Sequence, residues 1–509
     1  MFQTPSLTPS LLPAGAFLVP LLGGILVLAV ERRGGRACQG VSLLASASLA
    51  AAGFLMAFRT VQGRVLVAWG NELRVDGLSA LLVLVIGSIG FLTTLYSFRY
   101  MGRGELLERV GVGKAEKRLA IFYFLLLWFL GTMAWAAVTN NIIMLFVAVE
   151  ATTLTSGLLV AFFWDRRALE AGYKYLMLLT IGITFALFGC VLIYAAGAEA
   201  GGLAGREALL ISEVRGVAGL IPRRTALLAV AFLVIGFGTK AGLAPFHPWL
   251  PDAHAEAPTP VSVLLSGVMI KVAMYALART VSVFFPFIPQ LTVFIVALGA
   301  FTMVLGVVLA LVQDDLKRLL AYSSVSQMGY VLAGLGLGTY LGYYGGLFHL
   351  LNHAIFKALL FMSVGAIVYA TGVRKVSELG GLARRMPITG ACFLVGGLAI
   401  AGFPPFNGFM SKLTVYLALA GSGMWWAVGV AVFTSILTMV ALIRPAYRVF
   451  WAAPSGDATR FQAVREVPAT VWGPMVILAA MCLLLGVVPQ VAFGLLSRAA
   501  AVLAVVGGG

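Results

Sequence analysis

Five lysines stand where a lysine is hardest to keep. Lys174, Lys240, Lys271, Lys357 and Lys412 each fall inside an apolar stretch long enough to cross a bilayer. Of the nineteen acids, only Glu150 lies at comparable depth. Insertion scales put a lysine at the centre of a span at about 2.5–3.5 kcal/mol unfavourable, unless it faces protein, a partner or water. Lysine is also the basic residue that can release its proton; arginine cannot. Burial disfavours the ammonium form and a nearby carboxylate restores it. Lysines at all five positions therefore fit proton handling better than static charge compensation. The competing reading is snorkelling, in which the apolar stem is buried and the ammonium reaches an interface. It weighs most for Lys174, near the start of its span.

Histidines add to the set. His349, His353 and Lys357 are spaced i, i+4, i+8, which lines them on one helix face over about 12 Å. That face could be a hydrated proton wire, since imidazole titrates near neutrality. The lesser alternatives are packed, hydrogen-bonded histidines and a zinc pair, for which no clear third ligand is present. His254, within Asp252–Ala253–His254–Ala255–Glu256, could take up protons at a membrane surface or cap a helix.

These residues need elements that hold them at membrane depth. The chain has 509 residues, 61% hydrophobic and 11% charged, with a mean hydropathy of +1.01. Soluble domains are nearer a quarter charged, so a soluble enzyme and a disordered chain are excluded. The net charge of +16 forms no basic domain, which argues against nucleic-acid binding. Fourteen helices are predicted: 11–31, 38–58, 77–100, 119–138, 141–163, 172–196, 225–249, 260–280, 291–312, 317–337, 341–370, 388–418, 424–448 and 470–497. The expected fold is an all-α polytopic membrane protein with one transmembrane domain, 1–509. No signal peptide is read at the start, because the first basic residue, Arg32, follows the first apolar stretch. Cys38, Cys190, Cys392 and Cys482 are isolated and apolar in context. They read as packing residues rather than cluster ligands.

Basic residues give the orientation. Of the 35 Lys and Arg, 21 fall on one side of the predicted layout, nine on the other and five within spans. The positive-inside rule then places both termini on the non-cytoplasmic side of a cell inner membrane.

Two spans are interrupted. The seventh contains Gly236–Phe237–Gly238–Thr239–Lys240–Ala241–Gly242–Leu243–Ala244–Pro245, and the twelfth Gly402–Phe403–Pro404–Pro405–Phe406–Asn407–Gly408–Phe409–Met410–Ser411–Lys412. Glycine and proline clusters at membrane depth break the helical hydrogen-bond ladder, and such breaks normally line a polar cavity. Each is fourth in a group of five helices, which suggests two inverted repeats, 119–280 (helices 4–8) and 291–448 (helices 9–13).

The run from Pro245 to Ser262, PFHPWLPDAHAEAPTPVS, resembles the antiporter-like subunits shared by respiratory complex I, Mrp cation/proton antiporters and membrane-bound [NiFe] hydrogenases. The resemblance covers about residues 75 to 450. It implies that Glu150 is the helix-five glutamate, Lys240 and Lys271 the helix-seven and helix-eight lysines, and Lys412 the helix-twelve charged residue. By it, His349, His353 and Lys357 are polar residues of a central axis. Glu150–Ala151–Thr152–Thr153–Leu154 looks most like the F-type component of hydrogenase-4 complexes, although that subgroup often has Ser–Glu where Ser411–Lys412 stands. The implied function is a non-redox, proton-translocating subunit of a redox-driven pump. By the resemblance, protons would enter near His254, be held at Lys240 with Glu150 tuning its affinity, pass laterally through Lys271 and the His349–His353–Lys357 face, and leave at Lys412. No cofactor motif is present in the chain. Fe–S, NiFe or flavin centres are expected only in partner subunits, which would include further antiporter-like subunits and a quinone- or hydrogenase-anchoring subunit. The alternative is an Mrp-type Na⁺/H⁺ antiporter subunit.

Overall fold

The computed structural model describes residues 6–103, 112–453 and 461–504. Arg109 and Arg460, both used in the charge asymmetry, lie outside them, as do the side chains of Arg103 and Lys114. Every predicted span has a helix. The first six are α1 (Leu12–Ala29), α2 (Gly35–Val61), α3 (Gly77–Arg103), α4 (Val112–Val138), α5 (Ile142–Val160) and α6 (Arg166–Gly201). The seventh is two helices, α7 (Arg223–Ala241) and α8 (Trp249–Glu256). Next come α9 (Thr259–Phe284), α10 (Gln290–Leu311), α11 (Leu316–Gly336) and α12 (Tyr340–Thr371). The twelfth predicted span is again two helices, α13 (Pro387–Ala401) and α14 (Asn407–Gly421). They are followed by α15 (Trp425–Phe450), α16 (Ala469–Val487) and α17 (Gln490–Ala504).

Helices form where long apolar runs have no water to satisfy the backbone. Their starts follow local rules: Asn141 caps α5, Asp165 caps α6, Asp315 caps α11 and Thr339 caps α12, each side chain accepting from backbone N–H groups of the first turn. Small residues allow close approach. A Cβ on Gly334 of α11 would stand 2.8 Å from the backbone of Gly346 in α12, so only glycine permits that crossing. The centre is α9, α11 and α12, whose facing surfaces are almost wholly buried, with the other helices around them.

Three differences from the sequence reading bear on the site. The last predicted span, 470–497, is broken at Val488–Pro489 into α16 and α17. Gly486 there lies against the Pro405–Asn407 backbone, where a Cβ would overlap the Pro405 carbonyl. The break in this span thus packs into the break between α13 and α14. Second, α6 is 36 residues long rather than the 25 of 172–196, so it projects beyond the hydrocarbon. Third, the fold is not purely helical: Ser6–Pro9 (β1), Arg64–Ala68 (β2) and Leu73–Val75 (β3) make a small sheet, β1 parallel and β3 antiparallel to β2. The sheet ties the start of the chain to the α2–α3 connection. At the same end, Arg215, in the segment between α6 and α7, donates to the Leu503 carbonyl at 2.9 Å. Both ends of the described chain are therefore on one side of the bundle.

Candidate functional site

The two helix breaks have the same backbone. Gly242 and Gly402 end α7 and α13 in the left-handed conformation, φ +72° and +81°, which a glycine adopts without strain. The Gly242 N–H donates to Thr239 O (3.1 Å), Leu243 N–H to Gly238 O (2.9 Å) and Phe246 N–H to Leu243 O (2.7 Å). In the second break Gly402, Phe403 and Phe406 donate to Ala399 O (3.0 Å), Leu398 O (3.0 Å) and Phe403 O (3.1 Å). Gly242 corresponds to Gly402 and Phe246 to Phe406, at one constant offset in sequence. What occupies the freed carbonyls differs. In the first break the Trp249 indole N–H donates to Thr239 O at 2.8 Å. In the second, Lys412 Nζ reaches back to Ile400 O (2.8 Å), with Ala401 O at 3.4 Å and Ser435 Oγ at 3.0 Å.

Lys240 is buried at the end of α7. Its Nζ donates to Val149 O (2.9 Å) and Thr153 Oγ1 (2.5 Å) of α5. Glu150, expected to tune this lysine, acts on it from beyond contact: no ion pair within 4 Å joins them, though it lies within electrostatic reach. Glu150 is half-buried and accepts from Thr180 Oγ1 of α6 at 3.2 Å through Oε1, while Oε2 has no partner. Helical geometry explains this. Val149 and Thr153 are four residues apart and share a face; Glu150 is rotated about 100° away from Val149, towards α6.

Lys271 follows a π-helical turn, Leu265–Met269, within α9. Such a turn widens the helix by one residue and loosens its carbonyls. Lys271 Nζ donates to one of them, Ser266 O, and Ser266 Oγ meets Ser324 Oγ of α11 at 2.8 Å. On α12, Lys357 Nζ donates to Leu320 O (2.7 Å) and Ser323 Oγ (2.5 Å) of α11. His349 links α11 to α14, with Nδ1 3.0 Å from Ser411 Oγ and Nε2 3.2 Å from Gln327 Oε1. His353 is buried with both ring nitrogens unpartnered. Its ring centroid is 6.4 Å from that of His349, and it lies within electrostatic reach of Lys271, Lys357 and Lys412. His254 is also buried, stacked on Phe361 at 4.6 Å, with neither ring nitrogen bonded. The capping reading therefore does not hold for it. Among the described residues no three His, Cys, Asp or Glu side chains gather as a metal set.

The structure thus brings Lys240, Lys271, His254, His349, His353, Lys357 and Lys412 into the interior, with Glu150 at its edge. It does not bring Lys174 there. Lys174 side-chain exposure is 49%; it pairs with Glu170 (2.7 Å) and stands 3.8 Å from Asp252. The extra length of α6 carries Lys174 out to the surface layer, and Asp252 is shared there with Arg318. Lys412 lines a cavity of about 280 Å³ with Gly402, Phe403, Tyr416, Ser435 and Ile436. Phe403 and Ile436 are half-exposed, so this cavity opens on the flank of the bundle.

Two basic residues counted among the surface charges of the orientation argument are buried instead. Lys317, at the first position of the predicted span 317–337, is only 1% exposed and donates to Ala257 O at 3.0 Å. Arg279, near the end of the predicted span 260–280, is buried in α9 and gripped by Asp76. The neutral acceptors were also missed. Their signal was present: Ser323, Ser324, Ser326 and Gln327 crowd a single turn of an otherwise apolar span.

Comparison with known proteins agrees with this geometry. Residues 139–438 match the family described as NADH:quinone oxidoreductase/Mrp antiporter, TM, and residues 69–109 match NADH-Ubiquinone oxidoreductase (complex I), chain 5 N-terminus. The chain is 33% identical to NADH-quinone oxidoreductase subunit N of Desulforudis audaxviator, over 82% of each chain. It is 32% identical to a hydrogenase-4 component F homolog of Methylacidiphilum infernorum, over 78% of this chain and 82% of that one. A chain of the Mrp complex from Dietzia superposes with a TM-score of 0.85 at 25% identity, covering 97% of this chain and 98% of that one. With two interrupted helices of one backbone design flanking a line of buried lysines, and a family match over more than half its length, the chain belongs to the antiporter-like membrane subunits of complex I-, hydrogenase- and Mrp-type complexes.

Proposed function

We propose that this chain carries protons across the cell inner membrane as the non-redox subunit of a redox-driven complex of the hydrogenase or NADH:quinone oxidoreductase type. One observation carries the reading. Lys240, Lys271, Lys357 and Lys412 are each buried with hydrogen bonds to carbonyl and hydroxyl oxygens, and no carboxylate stands within 4 Å among the described residues. A buried cation without a fixed counter-charge costs several kcal/mol, and lysine removes that cost by giving up its proton. Such a site is suited to a charge that comes and goes.

Protons enter at the end bearing His254, are held at Lys240 with Glu150 as modulator, pass through Lys271, His353, His349 and Lys357, and leave at Lys412. The cytoplasm lies on the His254 side and both termini on the other. The 21-to-nine distribution of basic residues and the common end of the two termini support this. Redox centres belong to partner subunits, among them a quinone- or hydrogenase-anchoring one. Residues 119–280 and 291–448 are two copies of one five-helix unit, a reading supported by the shared backbone of the two breaks. The Na⁺/H⁺ antiporter alternative is less well served, because sodium seeks oxygen ligands and this interior presents cations.

The test is proton pumping by the purified complex in liposomes with Lys412→Ala. Pumping should fall at least tenfold while assembly stays normal. Wild-type pumping by that variant would overturn the assignment of Lys412.

A further inference from the structure

The outer end of α9 is held in a way no other part of the described interior is. Arg279 donates to both oxygens of Asp76, at 2.6 Å each, and to Ser79 Oγ at 2.7 Å. Asp76 simultaneously caps α3, accepting from Leu78 and Ser79 N–H at 3.1 Å each. One turn earlier on α9, Tyr275 OH is 3.1 Å from Ser79 Oγ, donates to Ala137 O at 2.8 Å and accepts from Arg279 Nε at 3.0 Å. The segment Ile270–Val281 is thus tied at its far end to the start of α3 and the end of α4.

Lys271 sits at the other end of that same segment, eight residues and about 12 Å from Arg279. Between Lys271 and the first turns of α9 lies the π-helical turn Leu265–Met269. A π turn stores one extra residue, so the helix on its far side can rotate and slide relative to the near side. Rotation would carry Lys271 away from Ser266 O, and Ser266 away from Ser324. The side-chain ties that resist it from the outer end are those of Asp76, Ser79 and Tyr275.

We propose that Asp76, Ser79 and Arg279 are positioning residues for Lys271: they clamp the outer half of α9 and so fix the direction in which the π turn presents the Lys271 ammonium. Asp76 and Arg279 touch no transported proton; they act through the helix. The geometric claim stands apart from transport; its effect on pumping rests on the function proposed above.

The test reads geometry first. Ser266→Cys and Ser324→Cys place two thiols where hydroxyls stand 2.8 Å apart. Oxidation of the full chain in membranes should link them, scored as the disulfide-bonded peptide by mass spectrometry in chain that remains assembled. With the clamp replaced by Asp76→Asn and Arg279→Leu, which keeps the α3 cap and leaves no lone charge, the linked fraction should fall at least threefold. Arg279→Lys, which keeps the charge but loses the two-point grip, should give a smaller fall and serves should the double replacement not assemble. An unchanged linked fraction in whichever clamp variant assembles would overturn the proposal, since a merely stabilising clamp changes how much chain folds and not how α9 is turned within it. Without the cysteines, pumping by the complex should fall at least threefold in the same variants. A lost cross-link with unchanged pumping would leave the clamp standing and remove Lys271 from the proton path.

Discussion

Arg279 and the four interior lysines are all buried cations, yet they are solvated in opposite ways. Arg279 has a carboxylate held in two-point contact, plus two hydroxyls. Lys240, Lys271, Lys357 and Lys412 have neutral partners: carbonyls and hydroxyls, with an aromatic ring beside Lys357 and Lys412. The residue types match the two environments. Guanidinium keeps its proton and fits a carboxylate through two parallel hydrogen bonds. An ammonium among neutral acceptors stays charged only as long as something else supplies the energy. A permanent charge with a permanent partner fixes structure, and a charge without one is free to move. Buried ionisable residues in one bundle therefore divide by partner rather than by depth.

Breaking the permanent pair from one side should have the largest effect on stability. Asp76→Ala leaves a buried guanidinium unpaired, which typically costs about 3–5 kcal/mol; thermal unfolding of the detergent-solubilised chain should show it, or the chain should fail to assemble. Lys271→Met sharpens the contrast. It removes a cation that has no counter-charge, so the unfolding temperature should hold or rise while pumping falls at least tenfold. A loss of stability comparable to that of Asp76→Ala would break the comparison.

Glu150→Gln is expected to do less than either. Glu150 bonds to Thr180 rather than to Lys240, so pumping should drop by a few-fold. Its coupling to Lys240→Ala should exceed about 0.5 kcal/mol in a double-mutant cycle on pumping rates only if the carboxylate swings inward during turnover. Full additivity would show that the two residues act separately.

The packing of α16 against the second break gives a further measurement. Gly486→Ala sets a methyl group into the Pro405 carbonyl, and overpacking of this kind costs about 1–3 kcal/mol. In the first break a Cβ at Gly242 would meet a side-chain methyl of Leu250 at 3.2 Å and no backbone, so Gly242→Ala should be destabilising chiefly through its φ, by about 1 kcal/mol.

Acid should have the smallest effect. Burial acts to raise the Asp76 carboxyl, but the Arg279 guanidinium bonded to it, the Ser79 N–H and the charge of Arg74 together outweigh it and hold the group below the usual aspartate range. The folded value lies below the unfolded one of about 3.9. The pair's contribution is therefore complete above that value and is lost only as pH falls through the lower, folded one. Between pH 5 and 8 the unfolding temperature should show no dependence on Asp76, and the difference between wild type and Asp76→Asn should shrink only below about pH 4.

Much of the molecule can be read from residue order alone. The helices at the fourteen predicted positions, twelve of them long and apolar enough to cross a membrane among the described residues, the two breaks and the burial of Lys240, Lys271, Lys357 and Lys412 follow from hydropathy and from the chemistry of glycine and proline, because lipid leaves the backbone no alternative partners. Depth along a helix is a local property. Which neighbour a side chain meets is not. The outward placement of Lys174 depends on how far α6 runs beyond the bilayer, and the burial of Lys317 on α8 and α9 folding over the start of α11. Glu150 and Val149 are adjacent in sequence, yet only the direction in which Lys240 reaches from α7 to α5 gives it the carbonyl of one and not the carboxylate of the other. The π turn before Lys271 had no independent signal; Gly486 and Pro489 did mark the break in the last span, and what only the fold shows is that it packs into the second break. Helical periodicity assigns a residue to a face; tertiary structure alone decides what that face is turned towards.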